Sequence, residues 1–278
     1  MNGRSFYTKV SPAHSSEYCY FCVMISVVLI GAGNVTTHLY RLLISSEGVK
    51  IKQWYSRRLE AISSYKNEVS VTDNLNDLEL AHVYILAVND DAVAEVSSKL
   101  PFDKRLVVHT SGSVGIHDLD KKLYRGVFYP LQTFSKEAEL EAAHIPICVE
   151  AIRKEDRQTL KTLGTAMGCE TYRVNSEQRK ALHLAAVYVN NFTNQLYRIA
   201  HEITESQSVD FNILKPLINE TARKIEELSP YRAQTGPAKR GDQKTIKKHL
   251  KLLEDAHHKD VYKLLTKSIQ QTHGRKKL

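Results

Sequence analysis

Short apolar runs alternate with stretches of helical period through the first two-thirds of the chain. This alternation predicts βαβ units around a mainly parallel sheet. Residues 25–30 read as a buried strand, and 35–45 as a helix with Leu39, Leu42 and Leu43 on one face. Strands are predicted over 50–55, 69–72, 83–88 and 106–109, with 59–66 helical between the first two. Residues 126–129 and 145–149 extend the sheet, 154–167 form a helix, and 171–174 a last strand. After Asn175 the period changes. Residues 178–206 are one helical pattern with no Pro or Gly, and 211–228 predict a second helix with Pro216 near its first turn. The stretch 229–241 holds two prolines and two glycines and reads as a loop; 244–254 and 257–271 are further helices. The expected organisation is a doubly wound α/β domain over 24–175 and an all-helical domain over 176–278. Residues 1–23, polar then aromatic without periodicity, form a poorly structured extension.

With 278 residues, 42% hydrophobic and 25% charged, the composition excludes a disordered, collagen-like or disulfide-scaffold chain. The apolar run 18–30, broken only by Ser26, is shorter than the ~20 residues a membrane span needs. It resembles the apolar region of a signal peptide, but it ends in glycines that the fold requires, so either Met24 is expected to be a functional start or the extension is expected to be loosely attached. A cytoplasmic protein is expected. Cys19 and Cys22 form a CxxC with no second pair to complete a zinc site, and it runs directly into a strand. The cysteines are therefore read as incidental and no metal is expected. The net charge of +8 belongs to the C-terminal segment, where residues 232–278 carry 13 Lys and Arg against 4 Asp and Glu. Most of these cations are read as a solvated helix face, with neither nucleic acid nor membrane as partner.

The strongest chemical signal is Gly31-Ala32-Gly33-Asn34-Val35-Thr36, in the first strand-to-helix turn. Gly31 permits the tight turn, and Gly33 lets the backbone approach a pyrophosphate seated on the helix N-terminus. Thr36 replaces the usual third glycine. Asn34 and Val35 complete the expected phosphate cradle. At the end of the second strand an acid would select NAD, but the chain reads Ser56-Arg57-Arg58. A hydroxyl and guanidinium there suit a 2′-phosphate, so NADP is the expected cofactor. Val88 and Asn89, ending the fourth strand, would flank the nicotinamide ribose, and Asp90 or Asp91 would cap the next helix.

The fifth strand ends in His109-Thr110-Ser111-Gly112-Ser113, a polar pocket for a substrate carboxylate or the nicotinamide amide. His109 is read as structural, and 129–134 as a rigid turn bordering the cleft. On the long helix, His183, Asn190, Asn194, Tyr197 and His201 align at a uniform helical period. The apolar surroundings predict a buried helix. His183 would be a general acid, Asn190 would orient a substrate oxygen, and Ser111 would stand beside the reacting centre. A satisfied hydrogen-bond seam is the other reading of the stripe. Ser113, Lys239 and Arg240 would bind substrate, with Asp242 capping the helix that follows.

These stretches carry a resemblance: GAGNVTTHL from Gly31, AVNDDA from Ala87, HTSGS from His109, YPLQTF from Tyr129, HLAAVYVNN from His183 and TGPAKRGD from Thr235. The chain resembles a family that joins a Rossmann-like NADP-binding domain to a C-terminal helical domain of unknown function. The architecture is similar to that of pyrroline-5-carboxylate reductases, ketopantoate reductases and 6-phosphogluconate dehydrogenases. The resemblance implies a homodimer built through the helical domain and a substrate held between the domains. The lysine that serves several β-hydroxyacid dehydrogenases has no counterpart, and His183 is offered instead. The expected function is an NADP-dependent oxidoreductase acting on a small carbonyl, imine or hydroxyacid. The alternative is an NADP(H)-binding sensor or regulator without turnover.

Overall fold

The computed structural model describes residues 24–135 and 141–273. The extension 1–23, with Cys19 and Cys22, lies outside the described residues. The chain divides into two compact units, Met1–Ala185 and Ala186–Leu278.

The first unit is built on an eight-stranded sheet of order β3-β2-β1-β4-β5-β6-β7-β8. The strands are β1 (Ile25–Ile30), β2 (Val49–Tyr55), β3 (Ser70–Thr72), β4 (Val83–Leu86), β5 (Leu106–His109), β6 (Tyr124–Pro130), β7 (Ile147–Ala151) and β8 (Thr171–Arg173). The helices are α1 (Asn34–Ile44), α2 (Val93–Ser98), α3 (Lys154–Ala166) and α4 (Ser176–Ala186). All pairings are parallel except β6 with β7, which is antiparallel. The doubly wound, mainly parallel sheet expected from the alternation is present.

Strand β1 explains why the sheet is buried on both faces. Val27 and Leu29 join a cluster with Leu39 and Leu43 of α1 and Leu160 and Leu163 of α3. Val28 and Ile30 point the other way, into a cluster with Val93, Leu100 and Leu119. The period of two in a strand divides a continuous apolar run between two cores.

Several boundaries differ from expectation. Residues 59–66 make two single 3₁₀ turns, Leu59–Ala61 and Ser63–Tyr65, rather than a helix. The segment is fixed by Tyr65, whose ring lies 4.9 Å from Tyr40 and 4.7 Å from Trp54. The helical pattern from Gln178 is interrupted: Val187–Phe192 are π-helical between α4 and α5 (Thr193–Ser206). A π turn holds more residues than an α turn, so the uniform period that aligned His183 with Asn190 and His201 does not hold across it.

The second unit contains α5, α6 (Lys215–Glu227), α7 (Pro230–Ala233), α8 (Pro237–Arg240), α9 (Gln243–Leu252) and α10 (Ala256–His273). The expected helix over 211–228 begins with a 3₁₀ turn at Phe211–Leu214, and Pro216 stands in the first turn of α6, where its missing N–H costs nothing. The expected loop over 229–241 contains two one-turn helices, each opened by a proline. Asp242 caps α9, accepting from the Thr245 N–H at 3.0 Å. The expectation of a buried helix over 178–206 fails: Leu184, Tyr188, Val189 and Phe192 are exposed. No described helix is long and apolar enough to cross a membrane.

Candidate functional site

The strand order reverses direction between β1 and β4. Successive strands run outward to β3 on one side and to β8 on the other. Ligands of open α/β sheets bind at such a switch point, beyond the carboxyl ends of the strands. Five loops of the site leave those ends: 31–33 after β1, 56–58 after β2, 87–90 after β4, 110–114 after β5, and the segment following Pro130 of β6.

The first loop turns at Gly31, whose φ is +126°. A Cβ on Gly31 would lie 2.1 Å from the Ala87 carbonyl oxygen, so only glycine fits. Trp54 Nε1 donates to the Gly31 carbonyl at 2.6 Å. Gly33 is exposed and meets nothing within 4 Å of where a Cβ would be, so its backbone is open to approach. Thr36, in place of the third glycine, is fully buried and donates its hydroxyl to the Ala87 carbonyl at 3.2 Å. The substitution thus ties α1 to the end of β4. Gly33 caps α1 with no side-chain hydrogen bond, leaving the first N–H groups of the helix without a side-chain acceptor. That donor set fits a pyrophosphate. The Asn34 side chain is engaged elsewhere, donating to the Phe134 carbonyl at 2.9 Å. Its offer to a phosphate is therefore its backbone N–H. Val35 is half-buried and packs against the core.

At the end of β2, Ser56 is buried, and its Oγ donates to the Arg58 carbonyl at 3.0 Å while accepting the Arg58 N–H. Arg57 is exposed and forms no ion pair among the described residues. Val88 is half-buried and Asn89 exposed after β4. Asp90 and Asp91 do not cap α2, whose N-cap is Ala92 with no side-chain bond. Asp90 instead accepts a short hydrogen bond from the Ser113 hydroxyl.

The loop after β5 is held from within and from below. Ser111 Oγ accepts the N–H groups of Ser113 and Val114, each at 3.1 Å, and lies 3.3 Å from Ser113 Oγ. With Ser113 donating to Asp90, the Ser111 hydroxyl is committed inside the loop, and Ser113 stands exposed at its surface. His109 is fully buried and its Nδ1 accepts the Ser111 N–H at 3.2 Å. Burial, reinforced by Arg179, pushes His109 down to about 4, so it stands uncharged.

Arg179, missed in the sequence, is the support beneath this loop. It is fully buried, donating from Nε to the Ser111 carbonyl at 3.2 Å and from Nη2 to the Val114 carbonyl. Its Nη1 pairs with Glu150 at 2.7 Å, and Ser176 bridges the same carboxylate at 2.8 Å. One turn further along α4, His183 lies against Gly112. A Cβ on Gly112 would meet the His183 ring at 2.6 Å. His183 Nδ1 is 3.0 Å from the Tyr129 hydroxyl, with the two rings edge to face. Burial pushes the Tyr129 phenol up to about 12. The i, i+4 spacing of Arg179 and His183 was the available signal, since it puts both on one helix face.

The structure thus brings Ser111, Ser113 and His183 together, with Asp90 and Tyr129. Asn190, in the π-helical segment, and Lys239 and Arg240, in α8, are exposed residues of the second unit. Lys239 Nζ donates to the Gln234 carbonyl at 2.6 Å. Among the described residues no cluster of His, Cys, Asp and Glu could hold a metal.

An uncapped glycine turn at the switch point of a doubly wound sheet defines a Rossmann-type dinucleotide-binding fold. A family model described as a domain of unknown function (DUF2520) matches residues 145–269. A solved structure from Bacteroides fragilis, named as a putative NADP oxidoreductase, is similar at 39% identity and a TM-score of 0.81, over 91% of this chain and all 100% of that one. The chain belongs to the family of that protein. More distant solved structures share the fold. The 1-pyrroline-5-carboxylate reductase of Streptococcus pyogenes has 12% identity and a TM-score of 0.62, over 90% of this chain and 99% of that one. The reductive aminase of Aspergillus terreus, solved with NADPH and ethyl levulinate, has 11% identity and a TM-score of 0.66, over 89% and 93%. A search of curated proteins finds no match.

Proposed function

We propose that the protein is a cytoplasmic NADP-dependent oxidoreductase acting on a small carbonyl, imine or hydroxyacid. The observation that carries this reading is the Gly31–Gly33 turn. Its open backbone and uncapped helix belong to the same sheet end as the loop that presents Ser113 and as His183 of α4, which packs on that loop at Gly112. The names of the similar structures from B. fragilis and A. terreus support the same cofactor. The backbone N–H groups of α1 would hold the pyrophosphate, and Arg57 the 2′-phosphate. The bound nicotinamide would supply or accept the hydride. His183 is the hydrogen-bond and proton donor of the site. Ser111 acts through the loop it holds rather than on the substrate. The exposed apolar side chains of α5, α6 and α10 support a homodimer formed through the helical unit.

Titration of the purified protein with NADPH and NADH, read by nicotinamide fluorescence, tests the proposal. The expected result is selective NADPH binding that Arg57→Glu abolishes while NADH binding is unaffected. Binding of neither nucleotide overturns it. The sensor reading would bind NADPH equally well but leave His183 without a task; His183→Gln would then change no turnover in a screen of small carbonyls and imines.

A further inference from the structure

The sole hydrogen-bond partner of the Tyr129 hydroxyl among the described residues is Nδ1 of His183, at 3.0 Å. A phenol carries one proton, and burial pushes this one up to about 12, so it remains a phenol across the working range. A neutral imidazole carries its proton on one nitrogen and a lone pair on the other. If Nδ1 carried the proton, it would donate to the phenol oxygen, and the half-buried phenol's own hydrogen would have no acceptor among the described residues. If Nδ1 carries the lone pair, the phenol donates to it and both groups are satisfied. The ring is also held in place: its Cγ and Nδ1 would lie 2.6 Å from a Cβ at Gly112, so it rests directly on that glycine's backbone. His183 is half-buried, and its Nε2 has no partner among the described residues.

We propose that Tyr129 is a positioning residue that fixes His183 in the tautomer protonated on Nε2, so that the site presents an N–H donor at Nε2. The group it meets is then one with a free lone pair, such as a carbonyl oxygen or an unprotonated imine nitrogen. This rests on the oxidoreductase reading above and narrows its substrate class. When the acceptor atom takes the proton from Nε2, the phenolic proton shifts to Nδ1; as solvent reprotonates Nε2, the Nδ1 proton returns to the phenolate oxygen, so one solvent proton is consumed and the starting tautomer is restored. Gly112 has a matching purpose, since any side chain there would lift the ring away from Tyr129.

The test is the imidazole nitrogen spectrum of the isotope-labelled full chain without nucleotide. Of the 12 histidines, His183 is assigned by the signal lost in His183→Gln. The expected wild-type spectrum has a protonated Nε2 and a bare Nδ1. In Tyr129→Phe both nitrogens move toward averaged positions, while the NADPH dissociation constant stays within about twofold. A wild-type ring protonated on Nδ1, or a tautomer unchanged in Tyr129→Phe, overturns the proposal. The wild-type spectrum decides alone if Tyr129→Phe does not fold. Failure of the wild type to bind either nucleotide would overturn the oxidoreductase reading instead, a separate result from the tautomer.

Discussion

In the sheet unit, Val27, Val28, Leu29 and Ile30 are wholly withdrawn from water. In the helical unit, Tyr188, Val189, Leu217 and Leu264 remain 62%, 73%, 60% and 68% exposed. Buried apolar side chains of the second unit, among the described residues, are Ile199, Ala238 and Ile246. The difference teaches where each unit finds its stability. The sheet divides its apolar strands between two packed faces and closes its own core. The helices have amphipathic patterns of similar strength but leave much of the apolar face uncovered. Exposed apolar patches of this kind mark surfaces that another surface covers. The sheet unit closes its own core, whereas the helical unit leaves its apolar face open, which is the observation behind the proposed homodimer.

The largest expected effect falls on the buried polar support of the sheet unit. Arg179→Ala removes the cation from Glu150 and the donors from the carbonyls of Ser111 and Val114. Breaking a buried pair from one side costs about 3–5 kcal/mol, to be read as a lowered urea midpoint. A loss no larger than that of an exposed residue would break the contrast between the units. The next effect is a pH dependence. His109 is held near 4 when folded and titrates at about 6.5 when unfolded. Between those values the unfolded state binds the extra proton, so stability is full above about pH 6.5 and falls as the pH drops toward 4. The linked loss is about 3 kcal/mol. His109→Gln should flatten this limb of the stability–pH curve; an unchanged slope would place the acid sensitivity elsewhere. The smallest effect sharpens the other side of the comparison. Phe192, 50% exposed in the chain, should contribute to a dimer interface, and Phe192→Asp should weaken association about tenfold in sedimentation. A wild type that sediments as a monomer at micromolar protein would remove the homodimer altogether.

The sheet was legible because its strands are short apolar runs between turn residues, and tertiary context only moved their ends. The glycine turn was legible because Gly31 and Gly33 stand at one strand-to-helix junction, where backbone conformation dictates residue type. Arg179 was legible only as a neighbour of His183 on one helix face, not as a buried cation. Ser-Glu-Gln-Arg-Lys reads as a solvated helix start, and only the position of Glu150 and the Ser111 and Val114 carbonyls makes the guanidinium a buried one. The 3₁₀ turns around Tyr65 were missed for the same reason, since an aromatic cluster with Tyr40 and Trp54 overrides the helical pattern. The π segment was hidden because a helix period read from sequence assumes one uniform turn.

The sheet has two outer strands, β3 and β8, and each is only three residues long. Open sheet edges are templates on which another chain can add a strand, and shortness is one of the ways proteins blunt them. On β8 two of the three residues, Tyr172 and Arg173, are exposed, and the second carries a charge. A molecule with edges this brief offers little purchase for strand-by-strand growth into fibrils. A large, strongly apolar sheet is thereby kept from becoming a seed for aggregation.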